Sequence, residues 1–150
     1  MKRACLSWVA VTCCFGTGAH AGCRVEIHTT GGPPAVYELE LARTAAARAR
    51  GLMGRTELPD RGGMLFDFGT EERAVFWMRD TPIALDILFV SAGLRVVEVI
   101  ANARPNSDRL LPSKAPVRYA VELAAGEAAR AGVEPGATLT LPAAYPASCP

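Results

Sequence analysis

The sequence predicts a small single domain of the α+β class, a mostly antiparallel β-sheet curled into a partial barrel and carrying two short helices. Two observations lead there. Seven or eight short runs place apolar residues at every second position and are separated by Gly- and Pro-rich turns, whereas only two stretches have helix-forming composition. No internal repeat and no linker divides the chain, and 150 residues suit one domain.

The mature domain is expected to span residues 22–141. Lys2 and Arg3, the uncharged and mostly apolar run Ala4–Gly18, and the small-x-small triplet Ala19-His20-Ala21 have the layout of a secretory signal peptide over residues 1–21. The apolar run is too short to span a bilayer, and no later segment approaches membrane length, so no transmembrane segment is expected in the mature chain. Cleavage would remove two of the 16 basic groups and none of the 15 acidic ones, turning a formal charge of +1 into −1. That balance makes no electrostatic case for nucleic acid or an anionic membrane. The expected location is the periplasm, or outside the cell.

Val25 and Ile27 alternate with Glu26 and His28, a half-buried strand; Gly31-Gly32-Pro33-Pro34 turns the chain; Tyr37, Leu39 and Leu41 alternate with Glu38 and Glu40 in a second strand. Thr44 is the expected N-cap of a helix over Ala45–Met53, with Gly54 just past its end. A loop through Pro59-Asp60-Arg61-Gly62-Gly63 leads to a short strand at Met64–Phe66, followed by a polar turn over Gly69–Arg73. Strands are expected at Val75–Met78 and Leu85–Val90 on either side of Thr81-Pro82, and Leu94–Ile100 pairs back across Ser91-Ala92-Gly93. Asn102–Pro116, with three prolines, reads as a loop long enough to be functional or mobile. Val117–Leu123 alternates again, Glu127–Ala131 supplies one or two helical turns, and Thr138–Leu141 is the last strand. Residues 142–150, again with three prolines, are expected to form an extended tail.

Three of the five cysteines lie within the signal segment, leaving Cys23 and Cys149 near the two ends of the mature chain. In an oxidising compartment such a pair favours a disulfide tying the tail to the first strand. Ala21-Gly22-Cys23 also matches the end of a lipobox, so a lipid anchor at Cys23 is the alternative, although His20 replaces the aliphatic residue such boxes favour.

Gly51-Leu52-Met53-x-Arg55, Gly63-Met64-Leu65-Phe66, Phe76-Trp77-Met78-Arg79-Asp80-Thr81 and Leu85-Asp86-Ile87-x-Phe89 follow one another in order. Tyr119-x-Val121-Glu122-Leu123, Gly126 and Gly132-Val133-x-x-Gly136 extend the series. Over Val36–Leu141 this resembles the domain-of-unknown-function-192 family, also catalogued as uncharacterised protein family 0127. The chain departs from that family's pattern in carrying Asp80 where Asn is usual, and Ala84 where Pro often precedes Leu-Asp. The resemblance implies a small, often exported domain and brings no reaction with it.

The chemistry centres on residues 76–90, where Arg79, Asp80 and Asp86 interrupt an apolar stretch. Pro82 lacks an N–H and disfavours helical geometry at Thr81, so a bend is expected at Thr81. Trp77 and Arg79 would share one strand face and offer a plane beside a guanidinium to an anionic or ring-bearing small molecule. Arg55 would add a second cation, with Asp80 and Asp86 as orienting acceptors. The leading reading is therefore a non-enzymatic, exported binding domain whose site is Arg55, Trp77, Arg79, Asp80, Thr81 and Asp86. The plainer reading makes Trp77 a core residue and Asp86 an acceptor of backbone N–H bonds.

A catalytic pair Asp80/Asp86, in a hydrolase or lyase, would need the bend to shorten an extended span of about 20 Å to roughly 5–10 Å. Met53, Met64 and Met78, with His28, form an alternative soft-metal set for copper, against the ordinary use of Met as core filler. A fourth reading is an assembly partner in an envelope complex. No nucleophile elbow, phosphate loop or His pair at metal spacing occurs, so no cofactor is expected. The oligomeric state is left open.

Overall fold

The computed structural model describes residues 22–149; the expected signal peptide lies outside the described residues. Strand β1 (Cys23–His28) pairs antiparallel with β2 (Ala35–Ala42), Val25 opposite Tyr37, as the alternation requires. Helix α1 (Ala45–Arg50) begins where the Thr44 hydroxyl accepts the Ala47 N–H at 3.1 Å. Its last residue is Arg50, three before the expected Met53, because Gly51 turns to φ +48° and the chain runs on to Gly54 in turns.

The α1 crossover makes β3 (Gly62–Glu72) parallel to β2, the one parallel pair in the main sheet. β3 is longer than the expected Met64–Phe66. Its polar end, read from sequence as a turn, continues as an exposed arm, and its register against β8 shifts between Asp67 and Glu72. After β4 (Val75–Phe76) come β5 (Leu85–Val90), β6 (Val96–Ala103), β7 (Leu111–Pro112), β8 (Val117–Ala124), α2 (Glu127–Arg130) and β9 (Thr138–Thr140). The expected loop 102–116 carries β7, which pairs with β4, and the Met78 N–H donates to the Ser107 carbonyl at 2.9 Å. The loop is thus tied to the 76–81 segment.

The seven-stranded sheet has the order β6-β5-β8-β3-β2-β1-β9. Its edges approach each other at one end. Arg95 bridges Thr138, and the Leu139 N–H reaches the Leu94 carbonyl at 2.8 Å, so the sheet curls into a half-barrel. Val25, Tyr37, Leu65, Leu88, Val121 and Leu123 fill the inside. A second apolar cluster lies on the outer face of β3, β8 and β5, where Phe66, Ile87, Phe89 and Ala120 pack with Leu52 and Met78. Burying each large side chain there stabilises the fold by about 1.5–3 kcal/mol. With both faces covered, β5 is buried at every position.

The tail is not extended. Residues 143–148 form turns, with the Ser148 N–H on the Ala144 carbonyl at 3.1 Å. Two anchors hold it: the Tyr145 hydroxyl donates to Asp67 at 2.8 Å, and Cys149 is disulfide-bonded to Cys23. Prolines restrict φ but accommodate turns as readily as extended chain, and here the side-chain anchors decide.

Candidate functional site

Strand β8 points Tyr119, Val121 and Leu123 into the barrel, which turns Ala120 and Glu122 outward. On an open sheet Glu122 would meet water. Here the end of α1 and the 74–81 segment cover that face, and Glu122 is 4% exposed, opposite Met64 on β3 and Ile87 on β5. Its Oε2 is buried without a hydrogen-bond partner, and burial pushes the carboxyl up to about 8, so it is mostly protonated at neutral pH.

A cavity of about 230 Å³ opens beside it. One wall is the turn after α1, Gly51-Leu52-Met53, which comes close enough that a Cβ on Gly51 would stand 3.4 Å from Phe66 Cζ and 3.8 Å from Glu122 Oε2. Aromatic side chains Phe66 and Phe68 of β3, Phe76 of β4, and Trp77 line it as well, and Arg50 lies on its α1 side. The Phe76 ring meets Phe66 edge-on with centroids 5.0 Å apart, and Phe89 at 5.6 Å fixes it from behind. Trp77, 40% exposed, stands at the mouth. Arg48 also lies at the rim, its guanidinium 5.7 Å from the Phe68 centroid and donating to the carbonyls of Arg43 and Asp67.

The residues named from sequence divide. Trp77 and Thr81 line this cavity; Thr81 is buried and donates its hydroxyl to the Arg79 carbonyl at 3.1 Å. The bend falls one residue earlier than expected, at Arg79-Asp80, where Asp80 takes φ +52° and its carbonyl accepts the Gly54 N–H at 2.7 Å. Arg79 does stack on Trp77, at 4.5 Å from the ring, but through this turn rather than along a strand, and its Nε donates to Asp108 at 2.6 Å. Arg55 pairs with Glu40 at 2.7 Å, beside a separate cavity of about 520 Å³.

Asp86 is fully buried on the other side of the sheet. Its two oxygens accept the Asn102 and Ala128 N–H groups, each at 2.9 Å, which joins β6 and the start of α2 to β5. That is the plainer reading of the acid, and it places Asp86 apart from exposed Asp80. Met53 lines the cavity, Met64 and Met78 are buried in the outer cluster, and His28 lies on β1 with Nε2 3.0 Å from Thr140 Oγ1. Among the described residues no three His, Cys, Asp or Glu side chains gather as a metal set.

Sequence reading missed Glu122, because its alternation with Val121 and Leu123 looked like a solvated strand face. A signal was present. β5, apolar at every position but Asp86, marks a sheet covered on both faces, so an acid on a neighbouring central strand had to be buried.

The family model of DUF192, described as an uncharacterized ACR, matches residues 26–141. No curated protein matches the chain. Two solved structures are similar to it. One, from Sinorhizobium meliloti 1021 and described as a candidate transcription regulator, is 37% identical with a TM-score of 0.77, over 79% of this chain and 92% of that one. The other, a protein of unknown function from Novosphingobium aromaticivorans DSM 12444, is 44% identical with a TM-score of 0.75, over 78% of this chain and 83% of that one. The cavity draws on four of the segments that carried the family resemblance, through Gly51-Leu52-Met53, Phe66, Phe76-Trp77 with Thr81, and Glu122. The chain belongs to the DUF192 family.

Proposed function

We propose that this protein is an exported binding domain that takes a small ring-bearing molecule into the cavity between α1, β3 and β8. The observation that carries the reading is the Glu122 carboxyl, buried beside an aromatic-walled cavity with Oε2 unpartnered. Such an unmet polar group costs about 1–3 kcal/mol in a folded chain, and a ligand that hydrogen-bonds to it recovers that cost. Flat aromatic walls suit a ring, and Trp77 at the mouth closes over it.

The anion contacts expected of Arg55 and Arg79 do not support an anionic ligand, since both guanidinium groups already hold carboxylates. Asp80, exposed in a turn, and Asp86, saturated on the opposite face, lend no geometry to a hydrolase. Export is supported by the layout of residues 1–21 and by the Cys23–Cys149 bridge, which suits an oxidising compartment. The same bridge supports the disulfide at Cys23 over a lipid thioether, since one sulfur cannot carry both. Transcription regulation, the description attached to one structural relative, finds no support through nucleic-acid binding in a formal charge of −1 after residue 21.

Trp77 is the sole tryptophan after Ala21, so it reports on the cavity directly. Titrating small aromatic compounds against the mature protein should change Trp77 fluorescence and raise the melting temperature, and Phe66→Ala should weaken both responses. A panel of aromatic amines, alcohols, amides and acids that moves neither signal would reject the reading.

A further inference from the structure

The cavity is lined by one buried acid, Glu122, and by two arginines, Arg48 and Arg50, of which Arg50 is exposed. Among the described residues Glu122 has no cationic partner. Arg48 is turned to the carbonyls of Arg43 and Asp67, and Arg118, on the same strand, sits 3.6 Å from Asp67. The remaining walls are the rings of Phe66, Phe68, Phe76 and Trp77, whose faces carry negative quadrupole charge. An unpartnered buried carboxyl beside aromatic rings suits a cation with an apolar body, because Arg48 is turned to its own carbonyl partners and Arg50 is exposed.

Resting on the binding role proposed above, we infer that the ligand is a small aromatic or similarly apolar amine, bound as its ammonium ion with an N–H donated to Glu122 Oε2 and the apolar body among the rings. In the free protein Glu122 holds its proton because burial disfavours the carboxylate. An ammonium group at hydrogen-bond distance reverses that preference. Below about pH 8, binding therefore converts the carboxylic acid to a carboxylate, with one proton released to solvent for each ligand bound and the ammonium group unchanged. The other charged groups on elements around Glu122 are Arg48 and Arg50 on α1, Asp67, Glu71 and Glu72 on β3, Arg79 and Asp80 in the turn, Asp86 on β5 and Arg118 on β8. No histidine is among them.

The test compares benzylamine, benzyl alcohol and benzoate on the mature, disulfide-bonded protein, by Trp77 fluorescence and by calorimetry in two buffers of different ionisation enthalpy. Benzylamine should bind at least about tenfold more tightly than either analogue. Its uptake should release close to one proton at about pH 6, with Kd falling up to about tenfold per pH unit towards pH 8 and levelling beyond. Glu122→Gln should erase the preference for the amine and abolish the proton release. Proton release from the unmutated protein carries the test should that variant fold poorly. Benzyl alcohol or benzoate binding as tightly as benzylamine, or amine binding without proton release, would overturn the amine assignment and leave the ring-binding cavity standing. Failure of all three compounds to bind would overturn both.

Discussion

A Cβ placed on Gly63 would overlap the main-chain oxygen of Glu122, so the β3–β8 pair at the base of the site closes only because Gly63 has no side chain. The same Cβ would also press on Leu39 and Leu123 at 3.1 Å, leaving it no direction in which to yield. The glycine thereby sets how near β8 lies to β3 and where Glu122 stands.

Gly63→Ala should consequently destabilise the fold by about 1–3 kcal/mol or more, since overpacking against backbone cannot be relieved by a rotamer change. Urea unfolding of the variant reads this directly. An unchanged midpoint would show that β8 can move away without cost.

Glu122 makes stability depend on pH in a defined direction. Its carboxyl lies near 8 in the fold against an ordinary value of 4.5, so between those limits the unfolded chain binds fewer protons than the folded one. Stability is fully present below about 4.5, falls by up to about 1.4 kcal/mol per pH unit through the window, and levels off above about 8. Glu122→Gln should remove that slope. Denaturation midpoints at pH 5, 6.5 and 8, compared between the two proteins, check it (approximate settings chosen around the window).

Asp86 and Asp80 should respond oppositely to the same substitution. Asp86→Asn puts an amide where two backbone N–H donors converge, leaves one of them unmet, and should cost about 2–4 kcal/mol. Asp80→Asn should change stability by less than about 0.5 kcal/mol, because Asn tolerates the left-handed φ of +52° at least as well. Thermal unfolding of both variants distinguishes the structural acid from the turn residue.

The tail is expected to contribute to the fold rather than trail from it. Cys149→Ser should lower stability by about 2–5 kcal/mol, as it opens a covalent loop between residues 126 positions apart. Tyr145→Phe should cost less, about 1 kcal/mol, because Asp67 keeps the Gly69 N–H and the nearby guanidinium groups of Arg43 and Arg118. Burial and the bond to Asp67 both push the Tyr145 phenol above its ordinary range, so this anchor persists into mildly alkaline solution. Chemical denaturation of the two variants gives the ordering.

Alternation and turn chemistry are local, which is why β1, β2, β5 and β8, the Thr44 cap and the α+β class could be read from residues alone. The pairing of Cys23 with Cys149 was legible too, since few thiols remained to choose from. Where strand ends fall was less so: the polar half of β3 and the early stop of α1 at Gly51 depend on neighbours distant in the chain. The site was hardest. Trp77 and Thr81 stood out as odd residues in an apolar stretch and do line the cavity, but Arg55, Arg79 and Asp86 find partners that only the fold supplies. Glu122 carries the opposite lesson. Its strand position is written in the sequence, whereas its burial, its proton and its missing partner exist only because α1 and the 74–81 segment fold over the outer face of the sheet. Period-two patterning assigns a residue to a face, and tertiary packing decides whether that face meets water.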